Sequence, residues 1–186
     1  VEQDELDDGW AYQTNSISSS SVTTIRNLVQ AHPDCFERTC LPGHITGSAW
    51  IISPDRSRYL LAHHRKLNRW LQVGGHADSE TVPHQVALRE AEEESGMTGL
   101  RFVETDGLLI PLDVDVHYIP PRKSEQVHEH HDLRYFLIAM DGQERWARWS
   151  FTRMFHRGDF LPVMVQLASY LIAAPYDLTR ANKLLS

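Results

Sequence analysis

The 186-residue chain is 41% hydrophobic, which is enough for one globular domain with a full-sized core. Its formal net charge of −7, with lysine and arginine scattered along the chain, argues against a surface that binds DNA or RNA, whereas a small phosphorylated ligand needs only a few local cations or a metal ion. The first residues have no basic start and no apolar run, and no stretch approaches the roughly 20 apolar residues of a membrane span. We therefore expect a cytoplasmic protein that has neither a signal peptide nor a membrane anchor.

Residues 1–40 are predicted to be an N-terminal extension with one helix that packs on a domain spanning residues 41–186. The helix is indicated by "VTTIRNLVQAH", where apolar residues recur at helical spacing after a serine run that offers an N-cap. Cys35 and Cys40 have no second pair elsewhere, which argues against a zinc knuckle. We expect both to be free thiols, with a disulfide as the alternative.

Two strand candidates follow, "HITGSAWIIS" and "RYLLAHH", separated by the turn "PDRS", so that we expect a hairpin. Next comes a short apolar stretch that ends at two glycines, "RWLQVGG". A helix is predicted from Val82 to Ser95, with Thr81 as its N-cap. Pro83 lies in the first turn, where proline is tolerated, and Gly96 is expected to end the helix.

Beyond this helix, strands are predicted in "GLRFVETDGLLIPLDVDVHYI" and "HHDLRYFLIAM", with the loop "PPRKSEQ" between them. A C-terminal helix is predicted in "DFLPVMVQLASYLIAA". There are no internal repeats. The order helix, strands, helix, strands, helix predicts an α/β or α+β domain with helices packed on a mixed sheet.

The predicted central helix carries three carboxylates on one side. Glu90, Glu93 and Glu94 fall within a sector of about 100°, while Glu92 points well away from them. Because like charges at this spacing repel, the pattern indicates either a solvated acidic face or a site for a hard cation such as Mg²⁺ or Mn²⁺. The cation site is favoured by the double glycine ahead of the helix, which lets backbone approach closely, and by Arg89, which can offset charge.

This segment resembles the Nudix box, written G-x5-E-x7-R-E-U-x-E-E-x-G-U with U an aliphatic residue. The match spans residues 75–97 and comprises Gly75, Arg89, Glu90, Ala91, Glu93, Glu94, Gly96 and Met97. Thr81 stands where the box has its first glutamate, which in the family supports the loop and the arginine. Glu80 or Asp78 is expected to take over that support, and a degenerate member without activity is the alternative.

The resemblance implies the Nudix fold, an α/β/α sandwich around a mixed β-sheet, and a metal-dependent pyrophosphohydrolase that cleaves a nucleoside diphosphate-linked compound or a related pyrophosphate. It implies that Mg²⁺ or Mn²⁺ is held by Glu90, Glu93, Glu94 and the carbonyl of Gly74. The expected catalytic residues are Glu90 or Glu93, acting as general base through a metal-bound water, with Arg89 beside them. A Nudix-fold module that binds a nucleotide or metabolite without cleaving it is the alternative.

The expected partner is therefore a small pyrophosphate compound rather than a nucleic acid or a membrane, and a homodimer is left open. Polar side chains alternate along two predicted strands, so that each set shares one face: Asp113, Asp115 and His117, then His128, His130, Asp132 and Arg134. On neighbouring strands they would form one patch, which is either a second metal site, a contact for phosphate or leaving group, or a polar face with structural hydrogen bonds.

Basic residues in "HHRKLNRW" either meet a polyphosphate or are solvated loop charges. The substrate contacts that we predict from both segments are Arg65, Arg69, His117, His128, His130 and Arg134.

Overall fold

A computed structural model describes residues 19–64, 68–104, 107–121, 125–142 and, for the backbone alone, 152–156. All of these lie in one compact unit, Ser16–Arg157. In chain order its elements are α1 (Ser19–Ala31), β1 (Gly43–Ile52), β2 (Arg58–His64), β3 (Arg69–Leu71), β4 (Val73–His76), α2 (Pro83–Ser95), β5 (Arg101–Phe102), β6 (Asp113–Ile119), β7 (His128–Ile138) and β8 (Thr152–His156). Neither helix is long and apolar enough to cross a membrane. The predicted C-terminal helix lies outside the described residues.

The eight strands form one mixed sheet. β1 and β7 pair in parallel, from Gly43 opposite Glu129 to Ile52 opposite Ile138. The other pairings are antiparallel: β2 and β4 pair with β1, β5 and β6 with β7, and β3 and β8 with β2. The predicted hairpin of β1 and β2 and the predicted α/β fold with a mixed sheet are therefore confirmed.

The main core lies between α2 and the sheet. Its buried members are Ala49, Ile51, Leu60, Val73, Ala87, Ala91, Met97, Leu100, Tyr135, Leu137 and Ala139. Gly47 marks the closest approach of β1 to α2, since a Cβ there would lie 2.7 Å from the Pro83 carbonyl oxygen and 2.8 Å from the Ala87 nitrogen. Because residue 47 has no side chain, α2 can pack directly against the backbone of β1. This close packing fixes the position of the α2 carboxylates relative to the sheet.

A smaller core joins α1 to the start of β1. Leu28 of α1 packs with Cys35, Cys40 and Ile45, and α1 also contacts β6. Both cysteines are buried and free, as predicted. The helix predicted in this region is present, and the division of the chain at residue 40 stays a prediction.

The predicted N-cap of α2 is wrong. The cap position is held by Val82 in extended backbone, without a side-chain cap hydrogen bond. Pro83 begins the helix instead, because its fixed φ suits the first helical position and it has no N–H that needs a cap. The predicted end is confirmed, since Gly96 is left-handed at φ 69° and donates its N–H to the Glu92 carbonyl oxygen at 2.9 Å.

Candidate active site

Arg89 ties the carboxylates of α2 to the end of β4. Its Nη1 donates to Glu90 Oε1 at 2.6 Å, and its Nη2 donates to the backbone oxygen of His76 at 2.9 Å. Longer contacts reach Glu80 Oε2, at 3.4 Å from Nε, and Glu93 Oε2, at 3.5 Å from Nη1. Because one rigid guanidinium bonds both helix and strand, Arg89 sets the orientation of Glu90 and acts as a positioning residue.

Of the two residues expected to replace the first box glutamate, Glu80 has the matching contact. Its carboxylate lies beside Arg89, whereas Asp78 accepts two hydrogen bonds from Arg38, at 2.9 and 2.7 Å. Thr81 itself is exposed. The carboxylate next to Arg89 thus comes from Glu80, which lies one residue before the position of the first glutamate of the box.

Glu90 occupies space that exists because residue 75 is glycine. A Cβ on Gly75 would overlap the Glu90 carboxylate, and the Glu90 side chain is only 14% exposed. Burial raises the pKa of Glu90, although the hydrogen bond and charge of Arg89 oppose this shift, and the charge of Glu93 adds to it. A buried carboxylate in this position gains from a nearby cation, which favours its charged form.

Glu94 and Glu93 complete the acidic group. Glu94 Oε2 accepts the N–H of Gly74 at 3.2 Å, so the glycine loop and the helix meet at this carboxylate. Desolvation, together with the charges of Glu90 and Glu93, raises the pKa of Glu94. The Glu93 side chain is 61% exposed, whereas that of Glu90 is 14% exposed.

Glu92 is turned to the other side of the helix, as its position on the helical wheel predicts. Its Oε1 accepts the N–H of Gly99 at 2.9 Å, in the turn that follows α2. It therefore serves as an internal comparison for Glu93 and Glu94, because it has the same chemistry on the same helix without facing the same neighbours.

A cavity of about 920 Å³ is lined by the three carboxylates of the acidic group and by polar residues of the sheet. The described residues that line it include Glu90, Glu93 and Glu94, and also Arg38, Gly74, Gly75, His76, His117 and His130. Arg38 was not predicted from the sequence, because it lies in a connecting segment that matches no motif. Its paired hydrogen bonds to Asp78 hold a guanidinium at this cavity.

The polar patch predicted on two strands forms, since β6 and β7 are antiparallel neighbours. The register places Asp113 opposite Arg134, Asp115 opposite Asp132, and His117 opposite His130. His117 and His130 line the cavity. His128 is buried, with its Nδ1 2.9 Å from the carbonyl oxygen of Gln126.

Arg134 is enclosed by carboxylates. It donates to Asp132 Oδ2 at 2.9 Å, Asp113 Oδ2 at 2.6 Å and Asp115 Oδ2 at 2.8 Å, and its side chain is 7% exposed. The Ser48 hydroxyl also donates to Asp132, with its Oγ 2.7 and 2.8 Å from the two carboxylate oxygens. Because the guanidinium is buried and donates to three neighbouring carboxylates, the network favours a structural role for Arg134 over the predicted substrate contact.

The same network extends to His117. Its Nδ1 lies 2.9 Å from Asp115 Oδ2, and this hydrogen bond, aided by the charge of Arg134, lowers the pKa of Asp115 to about 2. The remaining predicted substrate contacts cannot be placed in the cavity: Arg65 lies outside the described residues, and Arg69 is described only as backbone of β3.

Comparison with family models and with curated proteins finds no match for this chain. Among solved structures, it is similar to a Nudix family hydrolase from Clostridium perfringens, with 21% identity, a TM-score of 0.51, and coverage of 70% of this chain and 98% of that chain. An Ap4A hydrolase from C. elegans (14% identity, TM-score 0.45, 68% and 97% covered) and a mutT/nudix family protein from Listeria innocua (16%, 0.46, 71% and 96%) are more distant. At 21% identity, the first similarity establishes a shared fold.

Proposed function

We propose that this chain, which has the Nudix fold, is a metal-dependent pyrophosphohydrolase that cleaves a nucleoside diphosphate-linked compound or a related pyrophosphate. The observation that carries the proposal is the convergence of Glu90, Glu93 and Glu94 on one cavity beside a glycine loop. This donor set matches the carboxylates that the resemblance assigns to the metal. A solvated acidic face would not need the glycine that makes room for Glu90.

The donors fit a hard divalent cation. All are carboxylate oxygens, which suit Mg²⁺ or Mn²⁺, and the Gly74 carbonyl is the proposed fourth protein ligand. The pKa values of Glu90 and Glu94 are both raised by desolvation, which makes their charged forms unfavourable. A bound cation would offset that cost by stabilising the two carboxylates. When bound, the metal lowers the pKa of a coordinated water and stabilises charge on the transferring phosphoryl group.

The two candidate general bases differ in their freedom to accept a proton. Glu90 is held by Arg89 at 2.6 Å, whereas Glu93 has only a 3.5 Å contact with the same guanidinium and is 61% exposed. We therefore assign the role of general base to Glu93. In this proposal Glu90 is a ligand of the metal, and Arg89 holds the Glu90 side chain in position.

The cavity suits a ligand of nucleotide size. Its volume of about 920 Å³ lies at the upper end of the range common for small-molecule sites. Arg38 and His117 line it and are the proposed contacts for phosphate oxygens or the leaving group. Arg65 and Arg69 remain proposed contacts from the neighbouring loop, and the cytoplasmic location and a homodimer remain predictions.

One observation favours a second candidate, a module that binds a nucleotide or metabolite without cleaving it. Thr81 replaces the first glutamate of the box, and such a departure is expected in a member that has lost activity. The contact of Glu80 with Arg89 weakens this argument, since it restores a carboxylate beside the arginine.

The test is a phosphate-release screen with Mg²⁺ or Mn²⁺. It covers nucleotide sugars, dinucleoside polyphosphates, oxidised nucleotides, coenzymes and non-nucleotide pyrophosphates. Metal-dependent release from at least one class, abolished by chelator, is the expected result. Tight calorimetric binding of a compound that is never cleaved would favour the binding module instead.

A further inference from the structure

Three histidines converge on the sheet from three different strands. His44 lies on β1, His76 on β4 and His130 on β7, and one ring nitrogen from each lies within 4.8 Å of the others. The pairing explains this, since β1 lies between the other two strands, with His44 opposite His130 and Thr46 opposite His76. The ring centroids are 4.8 to 5.2 Å apart.

The nitrogens at the centre of this group lack partners. His44 is 1% exposed, and among the described residues neither its Nδ1 nor its Nε2 has a hydrogen-bond partner. Within the same part of the chain, His130 Nε2 is also buried without one. Buried polar nitrogens are almost always paired in native proteins, so an unpaired nitrogen on His44 and another on His130, side by side, point to a ligand that the two rings share.

The three imidazoles are suited to be ligands in their neutral form. Burial lowers the pKa of His44 to about 4 and that of His130 to about 3. Neutral imidazole keeps a lone pair for coordination, whereas imidazolium does not. Near neutral pH, His44 and His130 therefore each present a lone pair and carry no positive charge.

We propose that His44, His76 and His130 form a second metal site, which binds a divalent transition metal of the zinc class through three imidazole nitrogens. Imidazole suits Zn²⁺ and its neighbours in the first transition row and is a poor ligand for Mg²⁺. This site differs from the acidic group in ligand type as well as in ligand residues, so the two sites select different metals.

To bind a metal ion, the three histidine nitrogens need to move only slightly closer together. Tetrahedral Zn²⁺ with bonds of about 2.0–2.1 Å places its ligand nitrogens about 3.3 Å apart, so each nitrogen moves inward by less than about 1 Å from the present arrangement. His76 and His130 line the cavity, so the cluster adjoins the space that we propose for the substrate.

The test is a titration of the chelator-treated full chain with Zn²⁺ in a large excess of Mg²⁺, followed by calorimetry. We expect one equivalent of Zn²⁺ to bind, and Co²⁺ in its place to give the intense visible absorption of tetrahedral coordination. His76→Ala and His130→Ala should each weaken Zn²⁺ binding by about 100-fold or more, since even the outer partners of metal ligands are worth about 10–100-fold. Where an alanine variant fails to fold by circular dichroism, His76→Gln or His130→Gln replaces it.

Two controls separate this site from its surroundings. His63 lines the same cavity but packs against Trp70, so His63→Ala should keep Zn²⁺ affinity. Glu93→Gln should keep it as well, because the acidic group is a different site. The proposal is overturned by the absence of stoichiometric Zn²⁺ binding, by an equal loss in His63→Ala, or by a loss in Glu93→Gln without one in the histidine variants. None of these measurements depends on hydrolysis.

Discussion

Gly75→Ala tests whether glycine is needed at position 75 to leave room for the Glu90 carboxylate. The added methyl group would overlap the end of the Glu90 side chain, which can move away without a shift of backbone. Moving it breaks the 2.6 Å ion pair with Arg89. Hydrogen bonds to charged groups contribute about 1.5–3 kcal/mol. Because Arg89 is 34% exposed, solvent screening lowers this, and we expect a loss of about 1 to 1.5 kcal/mol of unfolding free energy.

The same change should damage the site far more than the fold. With Glu90 displaced, Mn²⁺ affinity measured by calorimetry should fall by about 100-fold, the scale on which single preorganised electrostatic groups act. Gly47→Ala is the matched control, because its methyl group would meet backbone atoms of α2 at 2.7 and 2.8 Å and should cost about 1–3 kcal/mol or more in urea unfolding. Unchanged Mn²⁺ affinity in Gly75→Ala, or a loss of stability above about 3 kcal/mol in Gly75→Ala, would refute the reasoning.

Three further predictions concern stability. Thr81→Ala should change the unfolding free energy by less than about 0.5 kcal/mol, since Thr81 makes no cap bond, and a loss near 1 kcal/mol in urea unfolding would contradict this. Asp132→Ala should cost about 3 kcal/mol in the same assay, because Arg134 is left buried with one carboxylate fewer, and a near-neutral result would refute the network. Burial raises the pKa of Tyr135 to about 12, so the unfolded chain releases this proton first and stability falls from about pH 10 to about pH 12. Tyr135→Phe should flatten that fall, and an unchanged slope would count against it.

The features of the site that depend on local sequence pattern could be predicted from the sequence. The spacing of Glu90, Glu93 and Glu94 depends on helical geometry alone, and the left-handed Gly96 ends the helix for a local reason. The predicted N-cap failed because two local signals competed, and Pro83 determined the start more strongly than the Thr81 hydroxyl. The polar patch of β6 and β7 could be predicted only on condition that the strands are neighbours.

The histidine cluster could not be predicted, because it depends on long-range pairing. His44 lies in a strand of mainly apolar and small residues, where a histidine suggests no special role. It meets His76 and His130 only because β1 pairs with both β4 and β7, and the parallel β1–β7 register joins residues far apart in the chain. The single sequence contains no signal for that register.

The most direct test of the proposed metal site compares Glu93→Gln and Glu94→Gln with Glu92→Gln. Each change removes one charge, and the Gln side chain can still accept the backbone N–H that Glu94 and Glu92 bind now. The measurement is Mg²⁺- or Mn²⁺-dependent phosphate release from whichever pyrophosphate is cleaved, with folding checked by circular dichroism. We expect losses of about 100-fold or more at Glu93 and Glu94 and a change of only a few-fold at Glu92. Equal losses at all three positions, or no loss at Glu93, would contradict the assignment of this helix as the catalytic metal site.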